Sequence, residues 1–363
     1  MGFVHDQIAE AGHEVDFFCA DDLSTGWHHA LAQRLIFPWK ARHRAVLAAR
    51  SGKHYDIINI HEPSAAFVAA SSAAAGSPVI VVTSHGLERR AWERAKEEAR
   101  LGREGPALKT RVTYPASGLW PGQYGLRHAD HVFCLSSEDR DYLIQTMERP
   151  AGSVTRIFPG TDPVYARAAE GRDYGRCERL LFAATWRKNK GVEDLVPAFL
   201  QLARAHTRLG LVVIGAGVPE STVRSHFPDS LQARITCLSP ADEWSMAAAY
   251  ADGDIFLLPS LFEGTPLTLV QAMMSGLPIV TTDTCGMKDV IADGVNGCLV
   301  PIRSPSAIVT AVTRLVGEHD LRARLGSAAQ RDASLLYTWK RVAMPVLAVY
   351  EQLYERRVTG HDA

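Results

Sequence analysis

Leu257-Leu258-Pro259-Ser260-Leu261-Phe262-Glu263-Gly264-Thr265-Pro266-Leu267-Thr268-Leu269-Val270-Gln271-Ala272-Met273-Met274-Ser275-Gly276 is the stretch on which the fold turns. It reads as a buried strand that ends at Pro259, then a tight turn in which Gly264 frees the backbone. Thr265 is a good N-cap and Pro266 a good first helical residue. The helix then runs to Gly276, which supplies a left-handed stop, with Pro278 just beyond. A strand, a turn and a helix in this order aim a helix N-terminus out of the carboxyl edge of a parallel sheet. Free N–H groups and the helix dipole favour negative charge there. The amides of Leu267 and Thr268 are thus placed to hold a diphosphate. A carboxylate at Glu263 repels phosphate, so it is expected to face neutral hydroxyls, as on a sugar; the plainer reading is that it caps the helix. Gln271 lies two turns in.

Working outward, short β-branched runs alternate with longer helical segments. Strands are predicted at Val15–Cys19, Ile57–Ile60, Val79–Val82, His131–Leu135 and Val154–Phe158, with helices such as Glu62–Ala75 and Ser137–Met147 between them. A second series follows at Leu180–Ala184, Leu211–Ile214, Ile235–Leu238, Ile255–Leu258, Ile279–Thr282 and Cys298–Val300. Such alternation means parallel sheets covered on both faces. Two series predict two doubly wound α/β domains, 1–165 and 175–336. A last amphipathic helix, 337–357, either packs back on the first domain or stays on the second.

At 363 residues the chain exceeds one ordinary core, which also argues for two domains. It is 47% hydrophobic and 22% charged with a formal net charge of −1, so no global electrostatic case for nucleic acid exists. Six scattered cysteines without a CxxC pair argue against a zinc cluster or a disulfide framework and fit a reducing cytosol. No apolar run reaches the ~18 residues of a membrane span, and the first ten residues are too polar for a signal peptide. Together these predict a cytoplasmic protein. Leu35–Arg50 sets Phe37 and Trp39 beside Lys40, Arg42, Arg44 and Arg50. That composition suits peripheral contact with the anionic inner face of a membrane, and equally an ordinary helix with a wet basic face. Residues 86–130 carry no clear strand, but eight basic residues between Arg89 and Arg111 interleaved with acids, and four aromatics. They read as a solvated helix with a surface loop, or as an insertion covering an active site.

The Leu257–Gly276 stretch resembles the signature of the retaining family 4 glycosyltransferases (glycosyl transferases group 1), whose pattern is Glu-x7-Glu. Here it reads Phe262-Glu263-Gly264 … Gln271-Ala272-Met273. The resemblance extends over nearly the whole chain. It includes His61-Glu62-Pro63 and Thr83-Ser84-His85-Gly86 as edge loops of the first domain, and Ala129-Asp130 through Leu135-Ser136. It continues with Phe158-Pro159-Gly160-Thr161-Asp162 before the linker, then Asp283-Thr284-Cys285-Gly286 and Asp293-Gly294-Val295-Asn296-Gly297. It implies the GT-B fold, two Rossmann-like domains facing across a cleft. Against that pattern the first strand and Gly-rich loop of the N-terminal domain are missing, and the expectation is that the sequence begins one strand late.

The resemblance also implies roles. Glu263 hydrogen-bonds hydroxyls of the donor sugar. Position 271 holds the ribose; the family has Glu there, and Gln271 forgoes the stronger charge-assisted bond. Lys190 matches the family's phosphate lysine, with Arg187 near the place of a family arginine that Thr185 occupies here. His85 is expected to face donor sugar and acceptor. Beside these roles, the turn and helix start themselves place Gly264, Pro266, Leu267 and Thr268 on the nucleotide side, and Gly215, in a short Gly pair after a strand, is expected to let the nucleotide approach the backbone. The implied reaction moves a hexosyl unit from a UDP- or GDP-linked sugar to a sugar, lipid-linked or small-molecule acceptor, with retention and with no metal or other cofactor. A non-catalytic or degenerate nucleotide-sugar-binding protein is the alternative. An epimerase fits less well, because only Glu263 is placed as an acid or base.

Overall fold

A computed structural model describes residues 2–19, 30–62, 64–69 and 77–359. The chain divides into two compact units, Met1–Ile157 with Ala343–Ala363, and Phe158–Val342.

The first unit holds a four-stranded parallel sheet in the order β1-β2-β3-β4: β1 Ile57–His61, β2 Val79–Ser84, β3 His131–Cys134 and β4 Val154–Arg156. Every residue of β2 and β3 is buried, as strands covered on both faces require. The alternation of β2 sorts its side chains. Ile80 and Val82 join Ile60, Leu126 and Leu143 on one face, while Val79 and Val81 meet Phe133, Val346 and Leu353 on the other. The second face is covered by the helix Trp339–Thr359. Its Tyr350 hydroxyl accepts a 2.6 Å bond from Asn59 on β1, and Arg357 donates to the Asp56 carbonyl at 2.9 Å.

One expectation for this unit needs correction, and two others become more precise. The strand predicted at Val15–Cys19 does not form; residues 13–19 carry no regular structure. A strand exists only through its ladder, and this segment is tied instead by side chains: Lys53 bonds Glu14 at 2.6 Å, and Tyr55 bonds Asp16. The helix predicted over Glu62–Ala75 is described only at Ala66–Ala69, with 63 and 70–75 outside the described residues. Residues 86–130 are largely helical: Glu88–Arg100, Leu108–Tyr114, a π-helical turn at Pro115–Leu119 and Trp120–His128. This segment is anchored rather than merely solvated. Trp92 is buried, and Arg90 pairs with Glu138 and, at 2.6 Å, with the buried Asp139.

The second unit holds a six-stranded parallel sheet in the order β10-β9-β8-β5-β6-β7. Its strands are β5 Arg179–Ala183, β6 Gly210–Ile214, β7 Ile235–Leu238, β8 Ile255–Leu258, β9 Ile279–Thr282 and β10 Cys298–Val300. Counted from its own first strand, that order is 3-2-1-4-5-6, the doubly wound arrangement. The chain therefore reverses its winding between β5 and β8.

Arg172 locks the far ends of two helices onto this sheet. It donates to the carbonyls of Ser275 (2.8 Å) and Gly253 (2.6 Å), just past the helices Leu267–Met274 and Glu243–Ala251, and of Tyr250 (2.9 Å) in the last turn of the second. Carbonyls at helix C-termini lack intrahelical donors, and one guanidinium serves three of them. Arg172→Ala is expected to lower the unfolding free energy by about 2–4 kcal/mol in urea titrations. Arg172→Lys, without the planar fork, should recover less than half of that loss.

Candidate active site

In an open parallel sheet ligands bind outside the carboxyl ends of the strands where the winding reverses. In the second unit that point lies between β5 and β8, and the loops leaving these strands carry Lys190 and Glu263. Gly191 brings them together. It adopts φ +75°, and a Cβ there would lie 1.8 Å from the Pro259 carbonyl oxygen, so only glycine allows the two loops to touch backbone to backbone. The Leu261 N–H donates to the Asn189 carbonyl at 2.8 Å and fixes their register.

On that support the Lys190 ammonium bonds directly to Glu263 Oε1, and the Ser260 hydroxyl donates to the same oxygen at 3.1 Å. The two side chains are only 22% and 13% exposed, so each charge relies on its partner more than on water. Arg187 stands exposed beside them on the same loop, while Lys188 turns to Glu193 at 3.6 Å. Trp186 N–H donates to the Ala216 carbonyl at 2.7 Å, which lays this loop along the turn after β6. There Gly215 has φ +66° with nothing within 4 Å of where a Cβ would be, and its own N–H is taken by the Leu238 carbonyl at 3.0 Å. Thr185 packs 3.4 Å from the Cβ position of Gly217.

The signature helix spans Leu267–Met274. Its cap residue is Pro266, one position later than predicted, and Pro266 is extended (φ −68°, ψ 128°) rather than helical. Thr265 is buried within the turn instead of capping it. The reason is Gly286, where a Cβ would lie 2.1 Å from the Gly264 carbonyl oxygen; the loop after β9 pins the turn from its other side. Leu267 and Thr268 then stand in the first turn, where N–H groups have no intrahelical acceptor. Gly276 takes φ +68°, the left-handed stop read from sequence. Gln271 is buried, and its amide oxygen accepts from the Tyr250 hydroxyl at 3.3 Å, a distance the same hydroxyl keeps to the Thr268 carbonyl. A helix N-terminus, an ammonium and a carboxylate are thereby gathered at one sheet edge. The first two suit an anion, and the third suits hydroxyl donors.

His85 belongs to the first unit, directly after β2. Its ring lies edge to edge with that of His61 at the end of β1, nearly coplanar, with centroids 4.8 Å apart and 13° between planes; His61 Nδ1 lies 2.7 Å from His85 Nε2. Burial, with His85 adding to it, pushes the His61 pKa down to about 3, and burial lowers that of His85. Next to them the Ser84 hydroxyl donates to Glu62 at 2.6 Å. Burial, with smaller contributions from Glu88 and Asp139, pushes the Glu62 carboxyl up to about 8. This edge is therefore uncharged at neutral pH despite three titratable side chains.

Sequence reasoning did not single out Ser260, Tyr250 or Arg172, whose roles depend on tertiary contacts. It quoted His61 and Glu62 as an edge loop without assigning them a part. The signal available was their position at the end of one parallel strand, level with Ser84-His85 at the end of the next.

Residues 4–165 match the family described as Glycosyltransferase Family 4, and residues 177–318 match Glycosyl transferases group 1. A D-inositol 3-phosphate glycosyltransferase of Streptomyces avermitilis is 28% identical over 256 residues, 64% of this chain and 54% of that protein. The chain thus spans about half the length of that curated relative. The sucrose-phosphate synthase of Thermosynechococcus elongatus aligns with a TM-score of 0.75 at 19% identity, covering 97% of this chain and 92% of its own. Anabaena HepE, solved with UDP and glucose, aligns at 0.65 and 16% identity, over 90% and 84%. At these identities the structures speak to the fold, which is GT-B.

The titrating groups of the first unit predict a stability optimum. Folded Glu62 keeps its proton to about pH 8, while an unfolded one releases it near the ordinary value of 4.5. The folded state binds more protons between those values, so stability falls as pH rises through that window. His61, and likewise buried His131 with its pKa pushed down to about 4, act in the opposite sense. They stay neutral when folded and take up protons below 6.5 when unfolded, so stability falls as pH drops below that point. In urea titrations at about pH 5 and about pH 8, Glu62→Gln should lose most of the alkaline decline and keep the acid one. An unchanged alkaline decline would show that Glu62 is ionised in the fold.

Proposed function

We propose, from the premise that this chain belongs to the family 4, group 1 glycosyltransferases, that it moves a hexosyl unit from a nucleoside-diphosphate sugar, UDP- or GDP-linked, to a hydroxyl-bearing acceptor with retention at the anomeric carbon. The observation that carries the reading is the Lys190–Glu263 pair at the winding reversal, beside the free N-terminus of Leu267–Met274.

In this reading the Leu267 and Thr268 amides and the Lys190 ammonium receive the diphosphate, with Arg187 adding charge at the exposed rim. Lys190 offsets the charge that grows on the phosphate as the sugar leaves, and a preorganised cation of this kind contributes most where water is scarce. Glu263, released from Lys190, accepts hydrogen bonds from sugar hydroxyls. The backbone at Gly264 and Pro266 lines the donor, Gly215 leaves room for the nucleotide, and Gln271 orients the ribose through its amide. His85 serves the acceptor and sugar hydroxyls. No dedicated nucleophile is assigned; positioning and phosphate electrostatics carry the rate. The ammonium and helix N-terminus supply the positive potential that a divalent ion provides elsewhere, so transfer is metal-independent. HepE, solved with UDP and glucose, supports such a donor. The inositol phosphate glycosyltransferase and a phosphatidyl-myo-inositol mannosyltransferase of Mycobacterium leprae, 31% identical over 163 residues, support a polyol-type acceptor, free or lipid-linked.

No helix among the described residues is long and apolar enough to cross a membrane. We place the protein in the cytoplasm. Trp39, 56% exposed on the helix Ala30–Arg50 with Lys40 and Arg44 nearby, supports peripheral contact with an anionic bilayer face.

One observation favours the competing reading, a non-catalytic nucleotide-sugar binder: Gln271 is neutral, buried and engaged by Tyr250. A donor panel separates the two. The transferase reading predicts product from a UDP- or GDP-sugar, a retained anomeric configuration by NMR and full activity in EDTA; inverted product or a strict metal requirement contradicts it. Glu263→Ala should abolish transfer in a folded protein. Lys190→Ala should lower kcat by about 10²–10³-fold, the usual cost of one electrostatic contact to a developing oxyanion. Near-normal turnover in either variant refutes its role, and binding without turnover of any donor identifies the binder.

A further inference from the structure

β1 ends on His61 and β2 ends at Ser84, one residue before His85. The strands are parallel with His61 beside Thr83, so both imidazoles stand at the carboxyl edge of the first sheet. The 2.7 Å separation of His61 Nδ1 and His85 Nε2 admits one hydrogen between two neutral rings. One nitrogen donates and the other accepts, so each ring dictates the tautomer of its partner. When His61 donates, His85 carries its own hydrogen on Nδ1; when His85 donates, its Nδ1 is a bare acceptor. Protonating both rings would set two N–H groups head to head.

The surroundings hold this pair in place without charge. Thr83 Oγ1 donates to Asn59 Oδ1 at 2.9 Å, and Asn59 donates to Tyr350 at 2.6 Å. Ser84 donates to Glu62, whose burial keeps it protonated at neutral pH. The 13° between the ring planes keeps the two imidazoles nearly coplanar, the alignment in which a ring N–H points at its acceptor nitrogen.

We propose that His61 is a positioning residue for His85. Through the Nδ1–Nε2 bond it holds His85 in one tautomer and one orientation, so that His85 Nδ1 offers a fixed, uncharged hydrogen-bonding group to a substrate hydroxyl. The catalytic consequence rests on the transferase reading above; the tautomeric coupling does not.

Two readouts on the full chain test this. Imidazole ¹⁵N NMR should show a single His85 tautomer in the wild type and a tautomer mixture in His61→Phe, which keeps a flat ring and loses the nitrogen. His61→Asn places a polar atom near Nδ1 and should keep the wild-type tautomer. It is also the milder change, so it decides the matter if His61→Phe does not fold. Transfer in His61→Phe should fall at least ~10-fold in kcat, less than the roughly 10²–10⁴-fold that a proton-transfer group itself contributes, as befits a residue that only positions one, with donor KM unchanged, and His61→Asn should stay within about 3-fold of wild type. In a His85→Ala background, His61→Phe should cost nothing more, as expected of two residues acting as one unit. An unaltered His85 tautomer in His61→Phe, or losses that multiply in the double variant, overturns the proposal. Preserved coupling with unchanged transfer overturns its catalytic half, and an absence of transfer from any donor by the wild type counts against the transferase reading alone.

Discussion

The second unit depends on one close approach, the Gly191 backbone laid against the Pro259 carbonyl. Parallel sheets leave their loops at one edge but do not decide how those loops meet. Here glycine removes the side chain that would hold the loops after β5 and β8 apart. Gly286 does the same against Gly264 from the opposite side. The turn between Ser260 and Thr265 is thus clamped by backbone on two faces, and Ser260, Leu261, Phe262 and Thr265 are all buried within it. A turn so confined cannot relax when a ligand arrives. In the proposed reading the backbone that carries Glu263, Lys190 and the first amides of the following helix is therefore set before binding, and only the Lys190–Glu263 side-chain pair has to exchange partners when the donor arrives.

That clamping also explains what was legible in the sequence. The strands of the second unit could be read because each is a short apolar run between turn signals, and burial on both faces writes such runs plainly. Glu263, Lys190 and His85 could be named because their spacing repeats a known pattern. The cap could not: Thr265 has the local chemistry for it, but the contact from Gly286 shifts the helix start to Pro266. Tertiary override also defeated the strand at Val15–Cys19, whose alternation is adequate but whose polar residues bind Lys53 and Tyr55 side chains instead of entering a ladder. The partners of Gln271, Arg172 and His61 come from residues far along the chain, and no local pattern announces them.

The two units treat charge in opposite ways. At the edge of the first sheet burial removes it: His61 and His85 are held neutral, and Glu62 keeps its proton. Hydrogen bonds from Ser84, Thr83 and Asn59 satisfy the polar atoms that remain, the condition under which buried polar groups do not destabilise a fold. At the edge of the second sheet burial preserves charge by pairing it, in Lys190 and Glu263. In the proposed reading, the neutral edge matches the hydroxyls of an acceptor and the charged edge the phosphate and hydroxyls of a nucleotide sugar.

The pairing has a consequence for selectivity. Breaking a half-buried ion pair leaves two poorly solvated charges, and each must then find a new partner. A ligand that brings only phosphate satisfies Lys190 and strands Glu263. A free sugar satisfies Glu263 and leaves Lys190 without an anion. Only a molecule that presents phosphate and hydroxyls together, at the spacing of one glycosyl phosphate bond, satisfies both. In the proposed reading the ion pair therefore couples recognition of the leaving group to recognition of the sugar. The neutral Gln271 sharpens this coupling, because an amide held by Tyr250 gives the nucleotide moiety a weaker hold than a carboxylate would. Discrimination then falls more heavily on the phosphate–sugar junction than on the nucleoside.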